Sequence, residues 1–448
     1  MILQFTVSNF RAFRETQTLN FAATKADKTL QENCIPAELP GLKGQQWLKG
    51  VALYGPNASG KSSVIEALQA LGNMVRKSAK TTDPKDQIEQ IEPFALSPGN
   101  SEEPTAFGVV FVSEGMRYEY RVAATKEHIW HESLRAFPTA KEQMWFCRDW
   151  QPDEQAYKWT PEKPTGYRRD VKKEEFTLPN VLFLSKAISL GDTQLEPVFR
   201  WFKERLQFID LSTRFGGVGL GVATAKAIFK NNSQCPRIVE LLRHADFGVE
   251  SVAVREEKPT EEVISFLERM KDMLPDGAVD DPKKMMVPKV ELAHRIRGHN
   301  PVLLPWESES AGTHRFFELA GPWLNILEKG YTVCIDELET SMHPLLVMEL
   351  LRLLFSDANQ KGAQVIFTTH NALLLDQTLL RRDQVWFVDK DDCGEAHLYP
   401  LTDYAPRKGE SLVRGYLSGR YGAVPFIPAG LLGTLPSRKT TQVGANEQ

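Results

Sequence analysis

The alternation of apolar and polar positions changes period several times along the chain. Residues 1 to about 21 alternate with a period of two, predicting one or two strands around Asn9–Phe13. Val51–Tyr54 is a short apolar strand that runs into glycine. Ser62 to about Val75 places Val64, Leu68, Leu71 and Val75 on one helical face. Lys77–Gln90 is polar and charged and predicts a loop or a frayed helix. From Phe107 to about Trp150 the period returns to two. Strands are predicted at Phe107–Val112, Met116–Ala123 and His128–Phe137, forming an antiparallel sheet, with Pro152–Pro164 as a surface excursion. From Asn180 the pattern turns helical, with helices expected at Leu195–Leu206, Cys235–His244 and Glu261–Leu274 and a charged loop at Asp276–Pro288.

After about Ala311 helices and strands alternate. Phe316–Leu327 reads as a helix bent at its internal proline, Tyr331–Ile335 as a buried strand and Pro344–Phe355 as a helix. Gln364–Thr368 and Gln384–Val388 read as further buried strands. Such alternation predicts a mainly parallel sheet. The expected architecture is α/β, with a parallel sheet, an antiparallel β lobe and a helical insertion. The expected boundaries are an N-terminal lobe over 1–189, the insertion over 190–298, a C-terminal lobe over 299–435 and a disordered tail over 436–448. No internal repeat and no sustained heptad pattern is present.

Composition narrows the class. The chain has 448 residues, 42% hydrophobic and 25% charged, with a net charge of −4, so no global attraction to nucleic acid or an anionic membrane is expected. Cys34, Cys147, Cys235, Cys334 and Cys393 form no CxxC pair, which argues against both a zinc site and a disulfide framework. No apolar run approaches the roughly 18–20 residues that span a bilayer. No signal-peptide pattern opens the chain, and a reducing cytoplasm is expected.

The residues Gly55, Pro56, Asn57, Ala58, Ser59, Gly60, Lys61 and Ser62 fit GxxxxGK[ST] between a strand and an amphipathic helix. Glycines there let backbone N–H groups converge on phosphate oxygens at a helix N-terminus. Lys61 is expected to neutralise β and γ oxygens and Ser62 to ligate Mg²⁺, with Ser63 completing the ATP-binding segment. The strand Tyr331–Ile335 delivers Asp336 and Glu337 at its C-terminal end, where ligands gather in α/β sheets. Asp336 is a candidate Mg²⁺ ligand and Glu337 a candidate general base. One helix and one strand later, His370 stands where a γ-phosphate sensor is expected.

Together these residues resemble the ABC-type ATPase superfamily, in its SMC, RecF and OLD branch. The resemblance implies that Ser341, in Ser341-Met342-His343-Pro344, belongs to a D-loop that crosses a dimer interface. It implies that Ser310 and Gly312, before the helix preceding the acidic strand, take the place of the family's signature. The segment departs from the usual LSGGQ form, and outside the family context such a pair is a helix N-cap. Val7 to Phe13 is similar to the branch's "NFR" first strand, so Arg11 either approaches the nucleotide or is an exposed arginine on a strand. Gln87 and Gln90 are Q-loop candidates by position only.

Over most of its length the chain also looks like the prokaryotic ATP-binding proteins grouped as AAA family, class 15. The likeness includes Pro93-Phe94-Ala95-Leu96, Leu182 to Lys186, Arg382 to Phe387 and Tyr416 to Phe426. It implies a head-to-head homodimer with two ATPs sandwiched between the P-loop of one copy and the signature of the other. It also implies a separate effector protein, a nuclease or toxin, in an anti-phage or abortive-infection system. Some relatives act in DNA repair, so direct action on DNA stays open as the alternative. A non-hydrolysing binding module is opposed by the complete set Asp336, Glu337 and His370. Asp389-Lys390-Asp391-Asp392 invites reading as a metal-binding DxD, but no separate glutamate on an earlier strand accompanies it, and a solvated turn is expected.

Overall fold

The computed structural model describes residues 1–425 apart from 37, 98, 100–101, 212–219, 231–232, 246, 271–280, 282, 284–285 and 408. The proposed tail 436–448, Phe426 and the parts of the predicted helix and loop that fall on 271–280 lie outside the described residues.

Two large sheets carry the molecule. The six-stranded sheet runs in the order Leu206–Ile209, Thr332–Ile335, Gln364–Thr368, Gly50–Tyr54, Val385–Lys390, Ala396–Pro400. All of its neighbouring pairs are parallel except the last. The seven-stranded antiparallel sheet runs Ala156–Thr160, Gln143–Gln151, Ile129–Phe137, Met116–Ala124, Thr105–Ser113, Ile2–Ser8, Gln17–Asn20. The fold is thus mixed α/β, as the alternation of periods predicts.

The central strand shows why its sequence is uniformly apolar. Every residue of Gly50–Tyr54 is buried, because the strand has sheet on both edges and packing on both faces. Val51 and Leu53 face a core shared with the helix Lys61–Lys77 and with Ile2, Phe5, Val109 and Phe111 of the antiparallel sheet. Ala52 and Tyr54 face the opposite core, built on Phe316, Leu324, Val347 and Leu351 of the helices Ala311–Lys329 and Pro344–Phe355. The helix after the phosphate loop is therefore packed between the two sheets. Gln364, fully buried, ties them polar-to-polar. Its amide oxygen accepts from Ile2 N (2.6 Å), and its amide nitrogen donates to Ile2 O (3.0 Å) and Leu48 O (2.9 Å).

Three expectations need correction. Segment 190–298 is not simply helical. It supplies Leu206–Ile209 to the parallel sheet, and Val249–Glu257 and Val287–His294 to a third, antiparallel sheet with Val302–Pro305. The predicted helix Leu195–Leu206 is the helix Glu196–Arg200 and a π turn over Trp201–Arg205, after which Leu206 already pairs with Thr332. Within Pro152–Pro164, Ala156–Thr160 forms an edge strand on Gln143–Gln151. The helix predicted at Phe316–Leu327 is part of Ala311–Lys329, with Pro322 inside it.

Candidate functional site

The phosphate loop begins where the buried central strand ends. Gly55 has no room for a side chain, since a Cβ would fall 2.2 Å from Val388 O and 2.6 Å from Ser59 Oγ. Ala58 (φ 61°) and Gly60 (φ 106°) take left-handed conformations that curl the backbone into the first turn of the helix Lys61–Lys77. Asn57 and Ala58 are exposed and Pro56 half-buried, while the side chains of Ser59 and Ser63 turn inward. Ser59 Oγ is buried without a hydrogen-bond partner. Lys61 folds back over its own loop and donates to Gly55 O (3.1 Å) and Pro56 O (2.9 Å). Burial pulls its ammonium below the ordinary lysine range.

The strands Thr332–Ile335 and Gln364–Thr368 end beside this loop. Asp336 accepts from Ser62 Oγ at 2.8 Å and from Thr368 Oγ1 at 2.5 Å. The same Thr368 hydroxyl oxygen accepts the backbone N–H of Glu337 at 2.7 Å. Parallel pairing sets Ile335 against Phe367, so both strands end at one level. Glu337 stands at φ 49°, a left-handed conformation that is uncommon outside glycine, with its side chain exposed. Ser62, Asp336, Glu337 and Thr368 thus form one hydrogen-bonded group across three elements.

Two further residues belong here that the sequence did not single out. Thr368 joins the acidic pair to the sensor strand, yet a hydroxyl at the end of a buried strand carries no sequence signature. Glu339 accepts the backbone N–H of His370 at 2.6 Å, while its other carboxylate oxygen is buried without a partner. Partial burial, then the nearby Lys61 ammonium, hold the His370 imidazole below its ordinary pKa.

The other predicted residues fall elsewhere. Ser310 caps the helix Ala311–Lys329, accepting from Thr313 N at 3.0 Å. Gly312 lies against the Ser341 segment, where a Cβ would come 3.3 Å from Ser341 O, and Ser341 takes a left-handed φ of 63°. Gly312 therefore stands between the Ser310 cap and the Ser341 segment. Arg11 is held by carboxylates. It pairs with Glu66 on the phosphate-loop helix and donates to Glu92 at 2.8 and 2.9 Å. Gln87 and Gln90 lie in a turn region after that helix.

The described part of the Tyr416-to-Phe426 motif, residues 416–425, is explained by packing. Tyr416 stacks on Phe387 and meets Tyr54 edge-on, and its hydroxyl donates to Ala423 O at 3.1 Å. Asp389 accepts from Ala423 N at 2.8 Å. Asp391 accepts from Cys393 N and Glu395 N, so the acidic run after Val388 serves a strand end and a turn.

A family model described as "AAA domain, putative AbiEii toxin, Type IV TA system" matches residues 51–376. No curated protein matches the chain. Among solved structures, "SMC head domain from Thermotoga maritima" is 14% identical with a TM-score of 0.37, covering 89% of this chain and 98% of that one. An Smc head domain with an extended coiled coil, bound to the C-terminal domain of ScpA from Pyrococcus furiosus, is 10% identical with a TM-score of 0.40, covering 90% and 97%. Among the described residues no helix is long and apolar enough to cross a membrane.

Proposed function

The chain belongs to this AAA-domain family, and on that premise we propose that it is a Mg²⁺-dependent ATPase that uses nucleotide to gate a protein partner. The observation that carries the reading is the 2.8 Å contact between Ser62 Oγ and Asp336 Oδ2, with Thr368 bridging onward to the Glu337 backbone. It joins the phosphate loop, the acidic strand and the sensor strand in one group. A hydroxyl and a carboxylate face to face are the hard oxygen donors that Mg²⁺ prefers, few in number so that water and phosphates fill the other positions.

When bound there, Mg²⁺ would neutralise charge on the β and γ phosphates. The chain's own groups do the rest. Lys61 exchanges the carbonyls of Gly55 and Pro56 for phosphate oxygens. The backbone of residues 55–62 cradles the phosphates at the helix N-terminus. Glu337, exposed at the strand end, orients water and takes its proton. His370, neutral at pH 7, donates a hydrogen bond to the γ-phosphate, and Glu339 holds its backbone. Ser310 and Ser341 are exposed and Gly312 lies against Ser341, which supports their reaching the nucleotide of a second copy in a two-ATP homodimer.

The partner is proposed as a separate effector in a defence system. The likeness to class 15 ATP-binding proteins supports this, and the family's description, "putative AbiEii toxin, Type IV TA system", supports the setting in a toxin system. A first test measures ATP binding and hydrolysis for the wild type, Lys61→Ala and Glu337→Gln. Lys61→Ala should lose nucleotide binding. Glu337→Gln should bind ATP while turnover falls by about 10²–10⁴-fold. Wild-type turnover in Glu337→Gln would reject the assignment of the base. Strong stimulation by DNA, without a co-purifying neighbour-encoded protein, would instead favour direct action on DNA.

A further inference from the structure

The antiparallel sheet carries a second group of ligand-bearing side chains, away from the phosphate loop. His131 stands on the strand Ile129–Phe137, and Cys147 and Asp149 on its neighbour Gln143–Gln151. Cys147 and Asp149 are two residues apart and share a face. The register sets His131 opposite Asp149, and Ser133 opposite Cys147, so all four side chains gather on one side. An imidazole nitrogen, a thiol sulfur and a carboxylate oxygen lie within 4.8 Å of one another. His131 Nδ1 is 2.7 Å from Asp149 Oδ1 and 3.9 Å from Cys147 Sγ, and Cys147 Sγ is 3.4 Å from Asp149 Oδ2.

We propose that His131, Cys147 and Asp149 form a binding site for a thiophilic divalent cation, best matched by Zn²⁺. Tetrahedral zinc bonds of about 2.0–2.3 Å place ligand atoms roughly 3.3–3.8 Å apart. The two separations involving sulfur already lie near that range. With Asp149 Oδ2 as the ligand oxygen, the hydrogen bond between Asp149 Oδ1 and His131 Nδ1 is exchanged for the shared cation. The surroundings fit the exchange. His131 Nε2 lies 2.8 Å from Ser133 Oγ, so with Nδ1 on the cation the other ring nitrogen donates to a neighbour, the usual outer support of a zinc-bound imidazole. Cys147 is buried while His131 and Asp149 are partly exposed, which gives the cation a way in and leaves a fourth position for water. Mixed nitrogen, sulfur and oxygen donors select zinc over magnesium, so the site is chemically distinct from the one at Ser62 and Asp336. A search for CxxC pairs misses it because His131 comes from the adjacent strand.

The test uses the full chain, treated with chelator and free of nucleotide, titrated with Co²⁺ as a spectroscopic stand-in for Zn²⁺. One equivalent should bind with a thiolate-to-cobalt charge-transfer band and the d–d intensity of a tetrahedral ion, and Zn²⁺ should displace it. Cys147→Ser should abolish the charge-transfer band. His131→Gln, at a partly exposed position, should weaken binding at least about tenfold, the lower bound for losing even an outer partner. Ser133→Ala should weaken it by about 10–100-fold while keeping the band. Cys393→Ser, at an exposed cysteine elsewhere, should change nothing. Absence of the band in the wild type, its survival in Cys147→Ser, or unchanged affinity in His131→Gln would overturn the proposal. ATP binding does not enter the readout, so the result stands apart from the nucleotide site.

Discussion

Thr368 occupies a position where one hydroxyl serves two carboxylate-bearing residues. It donates to Asp336 and accepts from Glu337 N, and it is fully buried. Thr368→Val keeps the shape and removes both bonds, leaving a carboxylate oxygen and a backbone N–H to find other partners. The expected loss is about 1–3 kcal/mol of stability, read by denaturant unfolding, together with slower ATP turnover because Glu337 loses its backbone anchor. His370 makes a second prediction at this scale. Its depressed pKa means that the unfolded chain takes up the proton first as pH falls through the ordinary histidine value of about 6.5. The ring therefore costs stability below that pH and is neutral above it. A proton NMR titration should place its midpoint below that of an ordinary histidine, and Lys61→Ala should move it upward. A midpoint at or above the ordinary value would contradict the environment described. The positions of Lys61, and of Asp336 and Glu337 at the strand end, were legible in the sequence because each sits in a linear pattern. Thr368 and Glu339 were not, because their roles come from strands brought side by side.

Elements differ in how openly their sequences declare them. Gln364–Thr368 and Pro344–Phe355 are found at the bounds predicted from their uninterrupted or amphipathic apolar content. Leu206–Ile209 was hidden because four residues following a helical run carry no period of their own. Ala156–Thr160 was hidden among prolines and charges. The pair Val249–Glu257 and Val287–His294 joins residues far apart in sequence, so neither strand announces the other. Where an element is legible its reason can still be nonlocal. The helix Phe183–Ser189 starts on Glu132 of the antiparallel sheet, which accepts from Phe183 N (2.7 Å) and Leu184 N (2.9 Å) while paired with Arg148. Both charged side chains are 0% exposed. Glu132→Gln leaves the Arg148 charge without its counter-ion and should cost about 3–5 kcal/mol, read by chemical denaturation. A variant as stable as the wild type would show that the pair is not what seats this helix.

For the whole molecule the proposed ATP sandwich makes a measurable claim about mass. Gly312 lies against Ser341, which follows directly on the turn from Glu337 to Thr340. Light scattering of Glu337→Gln should show a monomer without nucleotide and a doubled mass with Mg²⁺ and ATP. Adding Gly312→Asp, which crowds Ser341 O and sets a negative charge against phosphate, should return it to the monomer. A mass indifferent to ATP would remove the sandwich from the account and leave the hydrolytic assignments standing.

Gln364 binds the backbone of Ile2 and of Leu48, and the strand Gly50–Tyr54 has Gln364–Thr368 on one edge and Val385–Lys390 on the other. During translation, then, the ribosome has released the phosphate loop long before it delivers either strand that flanks it. The nascent chain must carry an apolar strand with both edges open for most of its synthesis, the kind of segment that chaperones engage and that aggregates when they do not. It also follows that truncated products ending before the sensor strand hold the GxxxxGK[ST] loop but not the sheet that shapes it. Such fragments should bind no ATP, so an unfinished copy would be unable to compete with finished ones for nucleotide.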